Sequence, residues 1–156
     1  MKAVTAAAAL CATFATPAGA QERWETFVND VTARQGAYIC SEMDETTGDF
    51  FCVELACEAG APLMVEISHA GSRLEETFEA RFRVNGVDLG AHAFEQSAPG
   101  GYAHFQSLTA AQDDTLRYWL SAGRTAEIVI GNDVQPVTLA GSSVAMRQVL
   151  NACPIG

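Results

Sequence analysis

Lysine is almost absent from this chain. Lys2 is the single one among 156 residues, and only arginines add to it, against 19 Asp and Glu, for a formal charge of −10. A partner with a phosphate backbone needs clustered cations, so this balance excludes nucleic acid. The pattern G-x-x-x-x-G-K-[ST] is missing too, which excludes a phosphate-binding loop and nucleotide hydrolysis. After Ala20 no apolar run approaches the roughly 20 residues that a membrane-spanning helix needs. There is no G-x-S-x-G elbow and no H-x-x-x-H pair, and neither repeats nor low-complexity stretches interrupt residues 21–156. What remains, 49% apolar and 18% charged, is the composition of a folded globular chain, long enough for one domain with one core.

The first residues carry an export pattern. Met1-Lys2 supplies a positive start, Ala3 to Ala15 is apolar or small, and Ala18-Gly19-Ala20 gives an A-x-A cleavage site before Gln21. This predicts a signal peptide over 1–20 and a single domain over 21–156, delivered to the periplasm or secreted. Cys11 offers a lipoprotein alternative, but Leu10 precedes it where that processing wants a small residue. Loss of Lys2 leaves the mature chain one charge more negative.

Export makes disulfides the default for the remaining cysteines, Cys40, Cys52, Cys57 and Cys153. Side-chain parity chooses among the three connectivities. Phe51, Val53, Leu55 and Cys57 alternate as an inward set, which leaves Cys52 and Glu54 outward. Before them Ala37, Ile39 and Met43 point inward, and Cys40 alternates outward with Tyr38 and Glu42. A hairpin centred on Thr46 sets Cys40 opposite Cys52. Cys153 follows Met146, Val149 and Leu150 at helical spacing and points inward, toward Cys57. The expected bridges are Cys40–Cys52 and Cys57–Cys153, contributing about 3 and about 4.7 kcal/mol in the chain-entropy description.

Along the chain, Trp24, Phe27, Val28 and Val31 form an i, i+3, i+4, i+7 stripe that predicts a first helix, with Arg34 at its end and Gly36 as its stop. Strands follow around Asp44 to Gly48, over Leu63 to Ser68, and over Phe78 to Val84, with Asn85-Gly86 as a hairpin turn. Gly90 to Gly101 reads as a long loop, and Tyr102 to Leu108 as a strand. Thr109 and Gln112 make a capping-box signal for a helix with Leu116, Trp119 and Leu120, closed by Gly123. Glu127 to Ile130 and Val134 to Leu139 form a closing hairpin in which Pro136 calls for an edge. Ser142 or Ser143 caps a last helix, stopped by Pro154. The expectation is α+β: a mostly antiparallel sheet with three short helices packed on it.

The series Leu108 to Leu120, Gly123, Ile128-Val129-Ile130 and Leu139-Ala140-Gly141-Ser142-Ser143-Val144-Ala145-Met146 to Leu150 resembles the tail of small exported bacterial proteins of the invasion-associated locus B type. It is equally similar to related envelope domains of unknown function. The resemblance rests on packing residues and implies an envelope protein without a transferable active site.

Candidate chemistry is sparse. His69, His92 and His104 would have to converge with an acid to support catalysis by a serine or threonine. Gly141-Ser142-Ser143 reads as a helix cap instead. Glu42, Asp44, Glu45 and Asp49 crowd one turn, but the EF-hand spacing is missing, and a solvated acidic tip accounts for them. No metal and no cofactor is therefore expected. His92 and Phe94 in the long loop, with Tyr102 beside it, form a candidate contact patch; the bland alternative folds Phe94 into the core. The function expected is binding, not catalysis, with a protein partner for which an acidic surface favours a cation. The alternative is an inhibitor of a basic hydrolase such as lysozyme.

Overall fold

The computed structural model describes residues 23–41, 45–70, 75–98, 103–107 and 112–153. The leader assigned to 1–20, with Cys11, lies outside them, as do Glu42, Met43, Asp44, Tyr102, Thr109 and Pro154. The elements in chain order are strands β1 (Glu25–Asn29), β2 (Arg34–Cys40), β3 (Phe50–Cys57), β4 (Met64–Ala70), β5 (Thr77–Val84), β6 (Val87–Ala98) and β7 (Ala103–Ser107), helix α1 (Asp114–Ala122), strands β8 (Thr125–Ile130) and β9 (Asp133–Thr138), and helix α2 (Ser142–Ala152).

The nine strands form one sheet in the order β1-β2-β3-β4-β7-β6-β5-β8-β9, and every neighbouring pair is antiparallel. Side chains alternate across it. Phe51, Val53 and Leu55 of β3, Val65 and Ile67 of β4, and Ala80, Phe82 and Val84 of β5 point inward and are buried. Leu116 and Leu120 of α1, with Met146 and Val149 of α2, complete the same core cluster, so both helices pack on this inner face. Each large side chain so removed from water contributes about 1.5–3 kcal/mol. Phe78 stacks on Phe94 (centroids 5.4 Å apart) and meets Phe105 edge-on (4.7 Å), locking β5, β6 and β7 together. At one end the two sheet edges meet: Trp24 N–H donates to Ala140 O (2.8 Å), and its indole N–H donates to Thr138 O (2.9 Å).

Both bridges are present, Cys40–Cys52 within the β2–β3 hairpin and Cys57–Cys153 between β3 and the end of α2. Cys40 is the register partner of Cys52. Pro136 lies on β9, which is an edge strand.

Among the described residues there are two helices, not three. The Trp24–Val31 stripe is strand β1 and a turn. Asn29 Oδ1 accepts the N–H groups of Val31 (3.0 Å) and Thr32 (3.3 Å), a local closure that competes with a helix. The β-branched Thr26, Val28, Val31 and Thr32 also favour extended backbone, and pairing with β2 settles the outcome. Val28 and Val31 of the supposed apolar stripe are 69% and 95% exposed.

Residues 90–98 are strand, not loop. Gly90 adopts φ 96° within β6, where the register with β5 shifts between Arg81 and Arg83. The glycine therefore marks a bulge inside a 12-residue strand rather than its end. The first helix is capped by Asp113, whose Oδ1 accepts from Thr115 N–H (2.8 Å) and Leu116 N–H (3.0 Å). The last is entered through Gly141 at φ 77°, with no side-chain cap. Left-handed backbone suits glycine, and this displaces Ser142 into the first turn, where it is 1% exposed.

Candidate functional site: the outer sheet face

With both helices on the inner side, the outer side chains of the central strands stay uncovered by helix. Register fixes their order. Glu25 pairs with Tyr38, Tyr38 with Glu54, Glu54 with Glu66, Glu66 with Gln106, and Gln106 with Glu95. A single row thus crosses six strands with four carboxylates in it. A parallel row runs Cys40, Cys52, Ser68 and His104.

Arg34, at the start of β2, reaches into the first row. Its Nε and Nη2 donate to Glu54 Oε1 (3.0 and 2.5 Å), and Nη2 also donates to Glu66 Oε2 (2.5 Å). Gln106 Nε2 donates to the other oxygen, Glu66 Oε1 (2.7 Å). Glu66 is 5% exposed, and these bonds satisfy both its oxygens. Burial pushes the Glu54 carboxyl up from its ordinary value; Arg34 opposes that and the charge of Glu66 adds to it. Burial works against the charge of Arg34, but its bonds to Glu66 and Glu54 outweigh this and hold the guanidinium firmly protonated. One cation thus serves two carboxylates, and Glu25 and Glu95 are exposed at the two ends of the row. Such a surface attracts cations.

In the second row Ser68 Oγ and His104 Nδ1 are 2.9 Å apart. A hydroxyl beside an imidazole is half of a nucleophile–base arrangement; the orienting acid of a triad is not hydrogen-bonded to His104 among the described residues. The three histidines do not converge. His69 is buried on the inner face of β4, edge-on to Phe51. His92 is buried on β6, edge-on to Phe82 (5.5 Å), with Nε2 3.9 Å from Asp113 Oδ2. Burial lowers the His92 pKa, and Asp113 only partly offsets this. Among the described residues, His92 Nε2 and Ser107 Oγ are buried without a hydrogen-bond partner. His104 is exposed, on the opposite face.

The candidate contact patch is corrected accordingly: His92 and Phe94 are 6% and 1% exposed in β6, and Tyr102 lies outside the described residues. Of the acidic turn, Glu45 and Asp49 are exposed and the other two lie outside; among the described residues no three His, Cys, Asp or Glu side chains gather where an ion could sit. Sequence reading missed the Arg34–Glu54–Glu66–Gln106 network because it placed Arg34 at a helix end. Shared outward parity of Glu54, Glu66 and Gln106 was the available signal.

Fold and bridges define a disulfide-bonded α+β protein in which, among the described residues, no helix is long and apolar enough to cross a membrane. Two disulfides fit a compartment outside the cytoplasm. No protein-family model, curated protein or solved structure matches the chain.

Proposed function

We propose that this is an exported protein of the bacterial envelope, of the invasion-associated locus B kind, that acts by binding a cationic protein through its outer sheet face. The observation that carries the reading is the row Glu25, Tyr38, Glu54, Glu66, Gln106, Glu95, in which Arg34 is, among the described residues, the one cation bonded to the carboxylates. The leader at 1–20 and the oxidised cysteines support export. The same surface supports a second, narrower reading, inhibition of a basic hydrolase such as lysozyme.

The test uses the mature chain with both bridges intact. Binding to immobilised lysozyme, and inhibition of its activity, are measured at low and high ionic strength against a Glu25→Lys/Glu95→Lys variant. Both positions are exposed, so folding is spared. Attraction between exposed charges is strongest at low salt. Binding that salt and the charge reversals weaken supports the cationic-partner reading, and accompanying inhibition supports the narrower one. Binding without inhibition discards the inhibitor reading alone. Failure to bind lysozyme and a panel of basic envelope proteins at low salt discards both.

A further inference from the structure

Strand β1 stands at one end of the sheet order, hydrogen-bonded as a strand to β2 alone among the described strands. Natural sheets guard exposed edges with proline, bulges or charges that point inward. The opposite edge, β9, carries Pro136 in its middle. Glu25–Asn29 has no proline and no register shift, and its one charged side chain turns to the outer face, where Tyr38 Oη donates to Glu25 Oε2 (3.4 Å). Edge β1 is therefore open to strand addition.

Beside it runs a groove whose far wall is α2. Two cavities lie along it and share Thr26 and Gln148. The larger, about 420 Å³, is bounded by Arg23, Trp24, Glu25, Thr26, Gly141 and Val144. The smaller, about 100 Å³, is bounded by Thr26, Val28, Gln35, Val149 and Ala152. Val28 and Val144, on the two walls, are 69% and 54% exposed. A strand laid on an edge sends alternate side chains to one face, roughly 7 Å apart. On β1 that face is the one toward α2, and the two cavities offer places for two such side chains.

The end of the groove fixes the polarity and the kind of guest. The bond from Trp24 N–H to Ala140 O closes it, and Gly141 forms part of the wall there, so an added chain cannot run on past this point. Arg23 stands at this closed end, exposed and in no ion pair among the described residues. A guest antiparallel to β1 brings its C-terminal end to Arg23; a parallel guest would bring a cationic amine. We propose that the β1 edge and α2 together receive the C-terminal tail of a partner protein. The tail adds as an antiparallel strand, its free carboxylate pairs with Arg23, and its last and antepenultimate side chains, small or β-branched, face α2. This is strand addition in which backbone bonds supply affinity and alternate side chains supply selectivity. It adjoins the acidic row at Glu25, which ends that row and also lines the larger cavity.

The test takes the disulfide-bonded mature chain and a random hexapeptide library displayed with free C-termini, beside the same library amidated. Free-carboxylate peptides with small or β-branched residues at the last and antepenultimate positions are expected to be enriched. Amidation of an enriched peptide is expected to weaken it about tenfold or more, the scale of one lost charge-assisted hydrogen bond. Arg23→Gln should weaken the free acid to the level of the amide without changing the amide. Val28→Lys should weaken both, and circular dichroism checks that each variant is folded. The proposal is overturned if free and amidated libraries enrich alike, if nothing is enriched, or if Arg23→Gln leaves the acid's advantage intact. It is also overturned if sedimentation shows a dimer that Val28→Lys dissociates, because a second copy then occupies the edge.

Discussion

Removing the two disulfides one at a time separates what each does. Cys40–Cys52 closes a loop of 12 residues and Cys57–Cys153 one of 96. In the chain-entropy description these lengths correspond to about 2.8 and about 4.7 kcal/mol, so the long bridge contributes about 1.9 kcal/mol more. Burial adds to the contrast. Cys57 and Cys153 are 4% and 3% exposed within the core, whereas Cys40 and Cys52 are partly exposed on the outer face. When serine replaces cysteine, core packing is lost only at Cys57 and Cys153. The expected outcome is that Cys40→Ser/Cys52→Ser lowers Tm by about 11 °C and Cys57→Ser/Cys153→Ser by about 19 °C, taking about 4 °C per kcal/mol for a domain of this size. Urea unfolding followed by tryptophan fluorescence reports the same ranking, because Trp24 and Trp119 both pack at the core. A larger loss from the Cys40–Cys52 pair would refute the reasoning. It would mean that the hairpin, not the tether of α2 to β3, holds the native state together.

Two further outcomes follow from the buried charges. His92 has its pKa lowered by burial, so its native state favours the neutral ring. Its contribution is present above the unfolded value of about 6.5 and is lost as pH falls through that value toward the lower folded one. Glu54, pushed up by burial, acts in the opposite sense, its contribution being lost as pH rises through its folded pKa. Urea midpoints at pH 7.5 and pH 5 should therefore be compared between wild type and His92→Gln; the variant should lose less on acidification, and an equal loss contradicts the assignment. Arg34→Met strands Glu66 without one of its two partners and should cost about 2 kcal/mol, an allowance for the partial exposure of the guanidinium. Adding Glu66→Leu should return part of that loss, and a strictly additive double variant would show that the two side chains are not coupled.

Much of the sheet is written in residue alternation. Phe51-Val53-Leu55-Cys57 and Ala80-Phe82-Val84 each bury one parity, and Asn85-Gly86 turns the chain where that dipeptide can. This alternation suffices to pair the cysteines, since parity and register alone place Cys40 against Cys52. The misread segments are those where a local pattern fits two states. Trp24, Phe27, Val28 and Val31 satisfy helical spacing, yet Phe27 and Val28 pair with β2 in a hairpin, and the bonds of Trp24 to Thr138 and Ala140 come from residues far along the chain. Gly90 marks a break that pairing with β5 converts into a bulge. The outer row is half legible. Each carboxylate declares its outward parity, but which ones lie side by side depends on a strand order in which β4 meets β7 rather than β5. No local window contains that information, and the Ser68–His104 contact was missed for the same reason.

The seam at Trp24 imposes a sequence of events. Trp24, just ahead of β1, docks only against Thr138 and Ala140, and the covalent tie at Cys57 waits for Cys153. Whether synthesised in place or threaded through a translocon, the polypeptide cannot complete its native arrangement until Cys153 has arrived. Such dependence on distant contacts makes folding slow. It also means that a nascent or partly translocated chain stays pliable, with its opening segment undocked, for as long as its tail is missing.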